Sequence, residues 1–166
     1  MHPIPLINEV KKIFNKTIVL SGCLSNGNDI ASALQMGADI AYMGTRFINV
    51  KESQAEQNYK DMIMRSGAED IVYTAAVSGV NASFLRPSLE AMGITEEQWK
   101  DTKKIDFGNT SDLAESEAKA WKTIWSAGQG VSAITDSPNV TDLVLQLKSE
   151  FIKAVEGQKK LLDLYS

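Results

Sequence analysis

Two glycine-bearing turns are the part of this chain able to do chemistry. The first, Ser21-Gly22-Cys23-Leu24-Ser25-Asn26-Gly27, follows the apolar run Thr17-Ile18-Val19-Leu20; the second, Gly44-Thr45, follows Asp39-Ile40-Ala41-Tyr42-Met43. Main-chain N–H groups approach an anion closely where no Cβ intervenes, and a helix N-terminus beside them adds about half a positive charge. That chemistry is phosphate binding. Ordinary turns of an α/β sheet share this composition. The functional reading requires both turns to leave adjacent parallel strands at the same end, where α/β folds bind ligands.

The elements that must position these turns follow from the pattern around them. Thr17-Ile18-Val19-Leu20 is apolar and β-branched without alternation, which predicts a strand buried on both faces, as in parallel sheets. From Asp29 onward Ile30, Ala33 and Leu34 fall at helical spacing, with Asn28 or Asp29 as cap and Gly37 as a left-handed stop. Residues 39–43 read as a second strand. Strand, helix and strand in this order make a compact βαβ unit, which requires a parallel pair. Ahead of it, Leu6, Ile7, Val10, Ile13 and Phe14 at helical spacing predict a helix over residues 4–14.

Leu20-Ser21-Gly22-Cys23, Gly37-Ala38-Asp39 and above all Met43-Gly44-Thr45-Arg46-Phe47 resemble the closing quarter of the flavin-dependent nitronate monooxygenases, formerly called 2-nitropropane dioxygenases. Asp70-Ile71-Val72-Tyr73-Thr74, Ser78-Gly79-Val80, Leu85-Arg86-Pro87-Ser88 and Trp125-Ser126-Ala127-Gly128-Gln129-Gly130 are similar, in the same order, to the family's C-terminal region. The resemblance implies an α/β fold that is the C-terminal portion of a (β/α)8 TIM barrel, about strands seven and eight, followed by a mostly helical region. It implies residues 1–70 as the closing part of a flavin-binding barrel and residues 71–166 as a helical extension packing on it. It further implies that Ser21, Gly22, Cys23, Gly44 and Thr45 hold the phosphate of FMN, chiefly through main-chain N–H groups and a threonine hydroxyl, with Gln129 near the flavin. The family usually has a second glycine where this chain has Ser21. The implied reaction is oxidation of an alkyl nitronate by O2, with the cofactor carrying the chemistry.

In the family a histidine in a His-Ala-Gly element is the base for neutral nitroalkanes. Here the single histidine, His2, precedes Pro3-Ile4 and reads as a surface residue at a chain end. No catalytic residue and no metal ligand are assigned. A full barrel takes about 250 residues, whereas this chain of 166 residues signals two barrel strands, so it reads as a fragment, whether truncated, split or deliberately shortened. Unpaired edges of parallel strands then point to self-association or to recruitment of a missing N-terminal half. Two further readings stay open. One is an FMN-dependent NAD(P)H reductase acting on a quinone or an enoyl-acyl carrier protein; the other is a non-enzymatic remnant that binds a partner through its open sheet edge.

A hydrophobic content of 43% with 23% charged residues belongs to a soluble globular protein, and a net charge of −4 argues against nucleic acid as partner. No run approaches a membrane span, no signal peptide precedes the first helix, and the lone Cys23 excludes an internal disulfide, which together fit a reducing cytoplasm. Cys23 reads as a small turn residue in preference to a redox nucleophile. Arg46 suits a phosphate or a neighbouring carboxylate equally and is left out of the site. Trp121 and Trp125 could stack on a flavin, but such pairs more often fill a core.

Downstream, helices are predicted over residues 55–66, 83–92, 114–125 and 140–154, with a strand at 71–74, a short capped helix from Thr95 and a polar loop over 100–111. Pro87 falls early in its helix, and Asn139 or Thr141 caps the last one.

Overall fold

In the computed structural model, which describes residues 2–101 and 123–165, the helices are α1 (Pro3–Ile13), α2 (Gly27–Met36), α3 (Thr45–Ile48), α4 (Gln57–Arg65), α5 (Arg86–Ala91), α6 (Glu96–Lys100) and α7 (Val140–Tyr165). The strands are β1 (Val19–Ser21), β2 (Ile40–Tyr42), β3 (Ile71–Thr74) and β4 (Ala82–Leu85), and short 3-10 turns lie at Ala68–Asp70 and Gln129–Ala133. The chain forms two compact units, one from Met1–Gln54 with Asp136–Ser166 and one from Ala55–Thr135.

In the first unit β1 and β2 pair in parallel, with Val19 opposite Ile40, Leu20 opposite Ala41 and Ser21 opposite Tyr42. The βαβ order expected from the apolar runs is present, and Gly37 closes α2 at φ 103 as a left-handed C-cap. The N-cap is Asn26, not Asn28 or Asp29: its side chain accepts from the Asp29 N–H at 2.9 Å while the Asp29 carboxylate accepts from the Asn26 N–H at 3.2 Å. Asp29 has the third position of this reciprocal box, which explains why the helix begins two residues early. Leu20 packs with Ile7, Leu24, Ala33 and Ala38. A second cluster joins Val50 to Leu143 and Leu147 of α7, with Ile30 and Met43 against it.

β1 is not buried on both faces. Leu20 is 6% exposed, whereas Val19 is 52%, Ile40 50% and Tyr42 61% exposed. Side chains alternate across a strand, and among the described residues α1 and α2 cover only the Leu20 face. Helix α7 continues past residue 154 to Tyr165. Its only breaker, Gly157, costs about 1 kcal/mol in a helix interior and stops nothing by itself. Asn139 caps it by accepting from the Asp142 N–H at 2.8 Å.

In the second unit β3 and β4 pair antiparallel, Ile71 opposite Leu85 through Thr74 opposite Ala82. The strand at 71–74 is where it was expected, but the helix expected over 83–92 is strand β4 followed by α5. Pro87 decides this: helical geometry from residue 83 would drive its ring into the carbonyl of Ser83, so the helix starts at Arg86 with Pro87 in its first turn. β4 is flanked by the segment after residue 122, with the Leu85 N–H donating to the Trp125 carbonyl at 2.8 Å and Phe84 bridging Ser126. Trp125 stacks on Tyr59 with ring centroids 5.1 Å apart and planes 13° from parallel, so this tryptophan is occupied within its own unit. Val77, Phe84, Leu89, Ile94 and Ile124 make the core, with Trp99 packed against it. Thr95 and Gln98 cap α6 reciprocally, as expected. The polar loop beyond residue 101, Trp121 and most of the helix expected over 114–125 lie outside the described residues. No helix among the described residues is long and apolar enough to cross a membrane.

Candidate functional site

The β1–β2 register brings the two glycine turns together. Ser21 sits opposite Tyr42 in a parallel pair, so both chains leave the sheet at the same level and the same end, on strands about 4.8 Å apart. Ser21, Gly22 and Cys23 leave from one strand tip, Gly44 and Thr45 from its neighbour. The backbone of Gly22 has φ 96, which glycine adopts without strain. Gly44 has φ −100 and ψ −65, a conformation open to other residues. A Cβ built on either glycine meets nothing within 4 Å. Space therefore lies open over both corners, and at Gly44 the backbone itself does not call for glycine.

Gln129 belongs to the second unit, where it opens the 3-10 turn Gln129–Ala133. It is not among the groups that the sheet register assembles.

The α2 N-terminus is not available to an anion as the turn pattern suggests. The Asp29 carboxylate accepts from the Ser25 N–H at 2.7 Å and the Asn26 N–H at 3.2 Å. Glu150, from α7, accepts from the Gly27 N–H at 2.7 Å. Two carboxylates thus take up the dipole's positive end. The local sequence shows Asp29 but not Glu150, which arrives from 123 positions away. An anion at the strand tips would depend on the corner amides around Gly22 and Gly44.

Three side chains singled out in the sequence have defined surroundings. The Cys23 thiol is pushed up, first by burial and second by the nearby Asp29 charge, so it stays protonated near neutral pH and acts as a small turn residue. Arg46 is 3% exposed; its Nη2 donates to the Asp136 carboxylate at 2.7 Å and its Nη1 to the Asp136 carbonyl at 3.2 Å. The carboxylate pairing is the one realised. His2 is exposed, and its Nδ1 accepts from the Ile4 N–H at 3.4 Å at the start of α1. Among the described residues no three His, Cys, Asp or Glu side chains are placed to hold a metal ion.

Comparison with known proteins gives this arrangement its context. Residues 2–150 match the nitronate monooxygenase family, and the chain belongs to that family. It is 27% identical over 152 residues to a nitronate monooxygenase of Paraburkholderia phytofirmans, covering 88% of this chain and 41% of that protein. It is 27% identical over 112 residues to the nitronate monooxygenase npaC of Metarhizium robertsii, covering 65% of this chain and 31% of that one. The chain thus spans less than half the length of these relatives. FabK from Thermotoga maritima superposes with a TM-score of 0.74 at 25% identity, covering 97% of this chain and 52% of that one. Nitroalkane oxidase from Streptomyces ansochromogenes superposes with a TM-score of 0.69 at 26% identity, covering 95% and 45%. The fold is α/β.

Proposed function

We propose that this chain is the cofactor-holding portion of a flavin-dependent oxidoreductase, with FMN phosphate held by the corner amides of Gly22, Cys23, Gly44 and Thr45 and by Ser21. The observation that carries this reading is the register of Ser21 opposite Tyr42, with open space over both glycines. Two sets of N–H donors from neighbouring strand tips suit a tetrahedral dianion, which accepts from several directions at once. Ser21 contributes a hydroxyl. The phosphate relies on these groups because Asp29 already accepts from the Ser25 and Asn26 amides ahead of α2 and Glu150 from the Gly27 amide.

The reaction we propose is oxidation of an alkyl nitronate by O2, consistent with the family match and with the names of the relatives. When bound, FMN supplies the electron transfer between nitronate and oxygen. This chain orients the cofactor through its phosphate. A nitronate is already the anion, so its oxidation needs no base from this portion. On this reading residues 1–70 carry the closing part of a TIM barrel and residues 71–166 its extension, whose long helix α7 shares a unit with β1, α2 and β2. Exposed Val19, Ile40 and Tyr42 would be covered by further strands, from a second copy or an N-terminal half.

Titration of the chain with FMN, followed by flavin fluorescence, tests the cradle. Oxygen uptake with propionate 3-nitronate, measured beside NADH consumption with a quinone, tests the reaction. Quenching with oxygen uptake is expected. NADH consumption alone would favour the reductase reading, and neither quenching nor turnover would favour the partner-binding remnant.

A further inference from the structure

Residues 46–52, directly after the Gly44–Thr45 corner, are laced to residues 136–140 at the start of α7. Arg46 makes two bonds to Asp136, through carboxylate and carbonyl. The Asn49 Nδ2 donates to the same Asp136 carbonyl at 3.1 Å. The Lys51 N–H donates to the Pro138 carbonyl at 2.9 Å, and the Glu52 carboxylate accepts from the Val140 N–H at 3.0 Å. The buried guanidinium is the first of these ties and stands one residue from Thr45.

We propose that Arg46 is a positioning residue for the phosphate corner: clamped to Asp136, it fixes where the Gly44 and Thr45 amides point without touching the anion itself. This rests on the proposed FMN reading. A buried guanidinium held by bonds from two of its nitrogens to separate acceptors has one orientation, and the backbone that carries it is held with it. Lysine reproduces the charge but not the two-pronged grip. The Asp136 carboxylate is 55% exposed while Arg46 is 3% exposed, so the arginine is the member whose orientation depends on the pair.

The test compares FMN with riboflavin, the same flavin without phosphate, by fluorescence titration of the full chain and of Arg46→Lys, Arg46→Ala and Asp136→Asn. A corner set askew loses affinity for FMN by about tenfold or more, while riboflavin affinity stays within about twofold. Arg46→Lys does not rescue; Asp136→Asn, which keeps an acceptor and both backbone ties, is intermediate. Equal losses for FMN and riboflavin would make the clamp merely structural and overturn the inference, as would an unchanged FMN preference in Arg46→Ala. If Arg46→Ala fails to fold, Asp136→Asn and Arg46→Lys decide by the same ratio. An unmutated chain with no preference for FMN over riboflavin would instead remove the cradle, and the inference with it.

Discussion

The Gly27 N–H donates to the Glu150 carboxylate at 2.7 Å where α2 crosses α7. The two backbones approach so closely that a Cβ on Gly27 would run into the Glu150 Cβ, the Leu147 carbonyl and the Phe151 N–H. Two of those three atoms are main chain and cannot swing aside. Gly27→Ala must push the helices apart, and overpacking of this kind costs about 1–3 kcal/mol. Urea denaturation should show that loss. An unchanged midpoint would mean that the crossing is looser than its geometry.

Ser88 lies 1% exposed in the second unit and ties two backbone groups together. Its hydroxyl donates to the Leu85 carbonyl at 2.7 Å and accepts from the Trp125 N–H at 3.0 Å. Ser88→Ala removes the side-chain acceptor of that part-buried amide, at a cost of about 1 kcal/mol. Thermal melting should register the loss, together with reduced protection of the Trp125 amide in hydrogen exchange.

The Asp70 carboxyl is held below its ordinary value, first by the Arg86 guanidinium bonded to it and second by the Gly67 N–H at 2.9 Å. A group whose pKa is depressed by folding contributes stability above its unfolded value, and that contribution is lost as pH falls through the folded one. Melting temperature should therefore fall on acidification below the usual carboxylate range. Asp70→Asn should flatten that acid limb; an identical pH profile would show that the pair contributes nothing at this half-exposed site.

Much of the first unit is legible from local pattern, because a βαβ unit writes its own punctuation. The apolar runs before Gly22 and Gly44, the helical spacing of Ile30, Ala33 and Leu34, and Gly37 at φ 103 are decided within a few residues. Burial of a strand face is not local. Val19 and Ile40 are apolar in type yet half exposed, because a side chain's identity does not fix what covers it. Long-range polar ties are equally silent: Glu150 reaches Gly27 across 123 positions and Asp136 reaches Arg46 across 90. The helix expected from residue 83 starts at Arg86, a boundary the sequence itself carries, since Pro87 forbids a helical carbonyl at Ser83. Cys23 shows the opposite case, in which a plain reading from sequence and the environment around the thiol agree.

The two corner glycines should separate when each is substituted. Gly22 has φ 96, so Gly22→Ala carries about 1–2 kcal/mol of left-handed backbone strain whatever the ligand does. Gly44 has φ −100, and a Cβ there meets nothing within 4 Å. Gly44→Val places its Cβ in open space but puts a β-branched residue where glycine caps α3, so stability should fall by about 1 kcal/mol. On the proposed cradle, that side chain would stand in the space the anion needs beside the corner amides. FMN affinity should fall far more than this small loss of stability accounts for. Retention of full affinity by Gly44→Val would place the phosphate elsewhere, since a valine and a phosphate cannot share that space.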